Sequence, residues 1–431
     1  MSSQFTSPFL IKDHILRAQH TRERIAATEL GQENALRVHV RQYIPKSNSH
    51  PRPGDVTIIG AIADAFPKEM YEPLWEAVMK GLEGKGKSVR AIWVADPVNQ
   101  GESGVLNERI LGPDPSWFDH ARDLMFLINQ FQDEIPHPIV GIGHSMGASH
   151  LAHLALLHPR LMDAVVLMDP VIQRGGGGSN WAAASTYRRD LWPSRHVAAE
   201  KLRSSPALKL WDPRVLEAFI QHGLRELPTE QYPNLPADSK NGDVPVTLQT
   251  TKAQEVYNYI QPMYHDERLM VPESERHRDF SAEDLALAPN AAFNRSEKIM
   301  LHRRLPEIRP STLFVFGATS GVSSADLRKE KLDITGTGPG GSGGAKVGRV
   351  KEAVIQCGHL VPLEKPDESG EACARFVSDE LDRWARVEKE RWEIRGRLTR
   401  EQRVGINEIW KRNIGGPPGK RRKEETGAAK L

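Results

Sequence analysis

The sequence predicts an α/β protein in which a mostly parallel sheet, with helices on both faces, is interrupted by one large insertion. Three observations carry this. Short apolar runs alternate with segments of helical periodicity between residues 56 and 168, the order that builds parallel strands joined by crossover helices. One run ends in Gly143-His144-Ser145-Met146-Gly147 and passes directly into helix-forming sequence. The alternation then stops for more than a hundred residues and resumes near residue 312. A chain of 431 residues suits one large core with an insertion as well as it suits two domains.

Residues 11–18 and 36–44 alternate apolar and polar, the period of half-buried strands, and predict an antiparallel hairpin at one sheet edge. After a Pro/Ser-rich turn, Val56-Thr57-Ile58-Ile59-Gly60 reads as a buried strand, followed by a loop and a helix from about Lys68 to Leu82. The next strand covers 89–95 and the next helix 117–131, where Phe118, Ala121, Leu124, Met125, Ile128 and Phe131 recur at helical spacing. The strand ending at His144 and the helix after it come next, then a strand over 164–168. From Gly175 to about Pro306 one helix stands out, with Asp212 as N-cap and Pro213 in its first turn. Strand-like sequence returns at 312–316. A Gly-rich stretch over 336–344 fits no phosphate-binding pattern and reads as a mobile connector. A last strand over 350–356 precedes a long charged helix from about Asp367 to Arg397. The expected organisation is a core in two parts, 1–174 and 307–397, a cap inserted over 175–306, and a basic flexible tail over 398–431.

Composition narrows the function. Lys+Arg 58 against Asp+Glu 56 leaves a net charge of +2, so neither nucleic acid nor an anionic membrane surface is the expected partner. Cys357 and Cys373 form no metal or redox motif, and neither a metal nor another cofactor is expected. No apolar run approaches the roughly 20 residues of a membrane span, and the N-terminus lacks the pattern of a signal peptide.

Ser145 falls on a strand-to-helix turn flanked by glycines two residues either side, the arrangement of a nucleophile elbow. A serine hydroxyl needs a histidine to take its proton and an acid to orient that histidine. Cys357-Gly358-His359 follows the last strand and supplies the base, His359. For the acid there are two candidates. Asp169 ends the strand 164–168, 24 residues after the nucleophile; Asp326 follows the strand 312–316 but lies six residues beyond Ser320, where an acid is usual. Asp169 is preferred, because its strand end is within reach of the histidine loop. The oxyanion donors are expected to be the N–H of Met146 and one from the loop after residue 60, Ala63 or Asp64. A carboxylate there would oppose developing negative charge, so the Asp64 side chain is expected to point away.

The stretches 67–75, 119–124, 140–145, 158–161 and 192–195, together with Gly358-His359-Leu360, resemble the α/β-hydrolase superfamily. Within it they are similar to fungal secondary-metabolite hydrolases, a group that includes toxin-biosynthesis proteins and a peroxisomal acyl-CoA hydrolase of mycophenolic acid biosynthesis. The resemblance implies an α/β-hydrolase fold and a triad of Ser145, Asp169 and His359; Ile62-Ala63 stands where that family has His-Gly. The C-terminal Ala429-Lys430-Leu431 resembles a Ser-Lys-Leu address for the peroxisomal import receptor, with a cytoplasmic location as the alternative. The expected function is hydrolysis of an acyl-CoA thioester or related ester of a fungal metabolite, with the tryptophan-bearing insertion closing over the acyl chain. Two alternatives are a carboxylester hydrolase or lipase that makes no use of CoA, and a non-hydrolytic binding or cyclisation protein on the same fold.

Overall fold

The computed structural model describes residues 7–29, 31, 36–175, 178–234, 244–264, 266–269, 272, 274 and 292–416. Strands β1 (Phe9–Arg17) and β2 (Arg37–Pro45) pair antiparallel, the edge hairpin that the alternation predicts. β3 (Val56–Ala61) is buried along its whole length, so every position can be apolar or small. The helix expected from Lys68 begins instead as a 3-10 turn, Lys68–Tyr71, and becomes α1 over Glu72–Glu83 with Pro73 in its first turn, where no N–H is needed. β4 (Val89–Ala95), α2 (Gly101–Asn107), α3 (Trp117–Gln130), β5 (Ile139–His144), α4 (Met146–Leu157) and β6 (Ala164–Met168) follow. Of these, α2 is too short and polar to have a readable period.

The chain leaves the sheet after β6. It forms α5 (Ser179–Tyr187), β7 (Leu191–Trp192), α6 (Arg195–Arg203), α7 (Pro213–His222), β8 (Leu224–Glu226), β9 (Val246–Leu248), α8 (Lys252–Tyr259), β10 (Gln261–Pro262), β11 (Phe293–Asn294) and α9 (Glu297–Arg304). It returns at β12 (Ser311–Gly317), whose Ser311 lies opposite Ala164 of β6 in parallel register. α7 is the helix read from the sequence, and its Asp212 cap accepts the Arg214 N–H at 2.8 Å. α10 (Ala325–Ile334), β13 (Val350–Ile355), α11 (Val361–Glu364) and α12 (Pro366–Gly396) complete the order. Residues 336–344 are tied rather than loose: Gly336 N–H donates to Leu305 O at 2.9 Å, Ser342 to Ile308 O at 2.9 Å and Gly343 to Gly336 O at 2.8 Å. From Asp382 the chain forms a second compact unit, containing the rest of α12 with α13 (Arg400–Val404) and α14 (Glu408–Ile414). The expected targeting tripeptide, 429–431, lies outside the described residues. No described helix is long and apolar enough to cross a membrane.

The eight-stranded sheet runs β1-β2-β4-β3-β5-β6-β12-β13, parallel from β4 onward. Period-two alternation divides its side chains between two apolar layers. Ile58, Ile92 and Val166 pack with Trp75 and Val78 of α1, while Ile59, Trp93 and Val165 pack with Leu124 of α3 and Leu151 of α4. Each such large buried side chain contributes about 1.5–3 kcal/mol. The inserted segment is anchored by charge as well. Buried Arg24 pairs with Asp114 at 2.6 Å and Glu297 at 3.0 Å, and Arg295 reaches Glu297 at 3.0 Å. Burial alone would raise the Glu297 carboxyl, but the two guanidiniums outweigh it and hold it down to about 2.

Candidate active site

Ser145 sits between β5 and α4 with φ 55° and ψ −116°, a conformation that costs a non-glycine residue strain. The flanking glycines have a visible reason. A Cβ on Gly143 would lie 2.7 Å from Gly147 O, and one on Gly147 would lie 2.4 Å from the backbone of Ala61. The second contact brings the loop after β3 against the start of α4. Met146, the first residue of α4, carries one of the N–H groups that a helix start leaves without an intrahelical acceptor.

The three residues expected to form a triad meet. Ser145 Oγ lies 2.8 Å from His359 Nε2, and His359 Nδ1 lies 2.5 Å from Asp169 Oδ2. With Nδ1–H donating to the carboxylate, Nε2 of the neutral ring is left to accept the serine proton. Asp169 follows β6 directly, has φ 40°, and is fixed by its N–H donating to Val315 O at 2.8 Å. Burial would raise its carboxyl, but hydrogen bonding to His359, helped by Ser320, holds it below the usual range. Ser320, which occupies the usual acid position, donates its hydroxyl to Asp169 Oδ2. Asp326 is exposed in the first turn of α10 and takes no part in this contact.

The loop after β3 differs from the expectation in two respects. Ala63 N–H is already bonded to the Tyr71 hydroxyl oxygen at 2.9 Å, which removes it as an oxyanion donor. Asp64 N–H has no acceptor among the described residues. Nor does the Asp64 side chain turn away: it lines the same pocket as Ser145, with Oδ1 accepting from Gln100 Nε2 at 2.6 Å and Asn258 Nδ2 at 2.9 Å. Burial first, and then Glu255, push its carboxyl well above the usual range, against ionisation. The shift acts in the direction that lessens the conflict with developing negative charge.

Sequence reasoning missed how these loops are held. The Tyr71 hydroxyl that takes the Ala63 N–H donates to His144 Nδ1 at 2.9 Å, and His144 Nε2–H donates to the His359 carbonyl at 3.0 Å. Burial, with His359 nearby, depresses His144 to about 3 and keeps it neutral, as one donor and one acceptor require. His144 is the residue between glycine and serine in the elbow, so its place was visible although its role was not. Gln100 carries no such signal. Its amide serves the loop at two points, accepting the Ala65 N–H at 3.1 Å as well as bonding Asp64.

A pocket of about 480 Å³ opens above Ser145. Core residues Trp117, Val171 and Val322 form part of its wall, and the inserted segment adds Trp181, Tyr259 and Lys298. The Trp181 ring lies 5.0 Å from that of His359. Lys298 is brought down to about 8, chiefly by burial.

Residues 66–372 match the Alpha/beta hydrolase family, and the chain belongs to it. Among its members the chain is similar to the type I acyl-CoA thioesterase mpaH' of Penicillium brevicompactum, 36% identical over 434 residues that span 97% of this chain and 98% of that protein. The abhydrolase domain-containing protein ACTT2-1 of Alternaria alternata is 27% identical over 57% of this chain and 84% of its own length. In structure, the peroxisomal alpha-beta-hydrolase Lpx1 from Saccharomyces cerevisiae superposes with a TM-score of 0.65 at 15% identity, covering 99% of this chain and 100% of that one, which establishes the shared fold.

Proposed function

We propose that this hydrolase cleaves an acyl-CoA thioester, or a related ester of a fungal secondary metabolite, through an acyl-enzyme on Ser145. The observation that carries the mechanism is the continuous contact from Ser145 Oγ through both ring nitrogens of His359 to Asp169. Ser145 attacks the carbonyl carbon while His359 Nε2 takes its proton; Asp169 holds the Nδ1 tautomer and stabilises the imidazolium. The N–H groups of Met146 and Asp64 receive the oxyanion. His359 then returns the proton to the leaving thiol, and the same histidine activates a water that releases the acid and regenerates Ser145. The thioester preference is supported by the near full-length similarity to a protein named as an acyl-CoA thioesterase. Import into peroxisomes through Ala429-Lys430-Leu431 belongs to the same reading and is supported by the likeness of that tripeptide to Ser-Lys-Leu.

The test measures release of free CoA from acyl-CoAs beside hydrolysis of the matching simple esters, for wild-type and Ser145→Ala protein, together with labelling by a fluorophosphonate. Wild type is expected to be labelled and to prefer the thioester, and Ser145→Ala to lose at least about three orders of magnitude in kcat. Turnover that survives Ser145→Ala overturns the mechanism. Ester hydrolysis without thioester hydrolysis overturns the CoA assignment alone.

A further inference from the structure

A buried cation lies behind the triad and takes no part in the steps above. Lys331, on α10, is 1% exposed. Its Nζ donates to Pro170 O at 3.4 Å and lies over the Phe316 ring, 5.7 Å from the centroid. Among the described residues no carboxylate pairs with it directly, and neighbouring Glu330 is engaged by Arg174 and His302. A lysine sealed from water in this way costs stability that an apolar side chain of similar length would not. Its surroundings identify what the charge is set against. Pro170 directly follows Asp169, which is 0% exposed; Asp169 Oδ2 accepts from His359 and Ser320, and Oδ1 has no hydrogen-bond partner. Ser323, 1% exposed, acts on the same carboxyl, and its hydroxyl has no other partner among the described residues. Ser320, Ser323 and Lys331 all belong to the segment after β12, where an acid is usual. That segment supplies no acid to the triad; it surrounds the one that β6 supplies.

We propose that Lys331 is a positioning residue of the triad, its ammonium acting with the Ser320 and Ser323 hydroxyls to hold Asp169 as a fixed carboxylate against His359. The inference rests on the Ser145–His359–Asp169 reading above and adds a residue to it. Two effects combine. The hydrogen bond to Pro170 O pins the turn in which Asp169 is held at φ 40°, a strained conformation that persists only where its surroundings enforce it. The buried positive charge favours the ionised form of a carboxylate that burial opposes, and the ionised form is the one that accepts Nδ1–H and stabilises the imidazolium. The groups that face Lys331 are Asp169 after β6 and Glu330 on its own helix, with Arg174 and His302 of α9 beyond. Burial brings Lys331 down to about 8 against the pull of Asp169 and then Glu330, so its charge is present at pH 7 and lost as pH rises through that value.

The experiment compares wild type, Lys331→Met and Lys331→Arg by their rates of labelling with a fluorophosphonate across the pH range around 8, and by urea unfolding. Labelling reads the reactivity of Ser145 whichever ester or thioester is the substrate. Lys331→Met keeps the length of the side chain without its charge. It is expected to be labelled about tenfold to a hundredfold more slowly at pH 7, and to unfold at the same or a higher urea concentration because a buried charge has been removed. Wild-type labelling is expected to fall toward the Lys331→Met rate as pH rises through about 8. That step is expected to be absent in Lys331→Met and to move to higher pH in Lys331→Arg, whose guanidinium stays charged. A step near pH 8 that persists in Lys331→Met belongs to another group, such as Lys298 of the pocket wall, and overturns the inference. Labelling of Lys331→Met within about twofold of wild type overturns it as well. So does slow labelling accompanied by a matching loss of stability, which would assign Lys331 to packing alone. Wild type that resists labelling refutes instead the Ser145 mechanism on which the inference stands.

Discussion

Replacing Tyr71 by phenylalanine removes a single oxygen and two hydrogen bonds. The ring itself stays packed, since its stacking on Trp75, centroids 6.2 Å apart, does not involve the hydroxyl. What is lost is the acceptor for Ala63 N–H and the donor to His144 Nδ1. Ala63 is 3% exposed and His144 1%, so water cannot replace either partner. Each stranded group costs about 1–3 kcal/mol, which places the destabilisation of Tyr71→Phe at about 2–6 kcal/mol. The same change frees the residue before Asp64, whose N–H is the proposed second oxyanion donor. A donor that drifts loses stabilisation of the transition state and little of the ground state, so kcat is expected to fall by about 10- to 100-fold while KM stays within about twofold. Urea unfolding and steady-state hydrolysis measure the two effects separately. A stability loss below about 0.5 kcal/mol, or a rise in KM with kcat intact, would refute the reasoning.

Two further predictions concern charge. Asp169→Asn substitutes an amide for the carboxylate that receives His359 Nδ1–H, and hydrolysis is expected to fall by about four orders of magnitude with the circular dichroism spectrum unchanged; a tenfold effect would show that Asp169 does not set the tautomer. Glu297 is depressed in the folded state from 4.5 to about 2, so its contribution is fully present above the unfolded value and is lost as pH falls from 4.5 toward 2. A shift of that size corresponds to about 3 kcal/mol. Urea unfolding at pH 7 and at pH 3 is expected to reveal part of this loss in wild type, whereas Glu297→Gln is expected to be about 3–5 kcal/mol less stable at pH 7, through two guanidiniums left buried, and to lack the Glu297 component of the slope.

The parts legible in the sequence are those whose physics is local. β3, β5 and β6 are buried on both faces and read as continuous apolar runs, and the β1–β2 hairpin alternates because only one of its faces is covered. Ser145 is announced by Gly143 and Gly147, which the close approach of backbones makes necessary, and His359 by its place beside Gly358 after the last strand. The inserted segment is different. Its strands are two or three residues long, too short for any period to register. Asp64 shows a second kind of limit. Its residue type implies a charge, but its ionisation depends on burial and on Glu255 and Asn258, almost two hundred positions away. Ser320 illustrates a third: a missing acid looked like a defect, and became intelligible only when the carboxylate from β6 was found against its hydroxyl.

The anchoring of the inserted segment bears on how such a protein can change. Asn258 hydrogen-bonds Asp64, and Glu297 receives both Arg24 and Arg295 out of reach of water. A segment transplanted from a relative without those two side chains would take from buried Arg24 one of its carboxylate partners and from Asp64 one of its two amide donors. The insertion is therefore not an exchangeable module. New substrate preference is accessible by single replacements along its pocket face, at Trp181 or Tyr259, and any graft intended to swap the whole segment has to carry Asn258 and Glu297 with it.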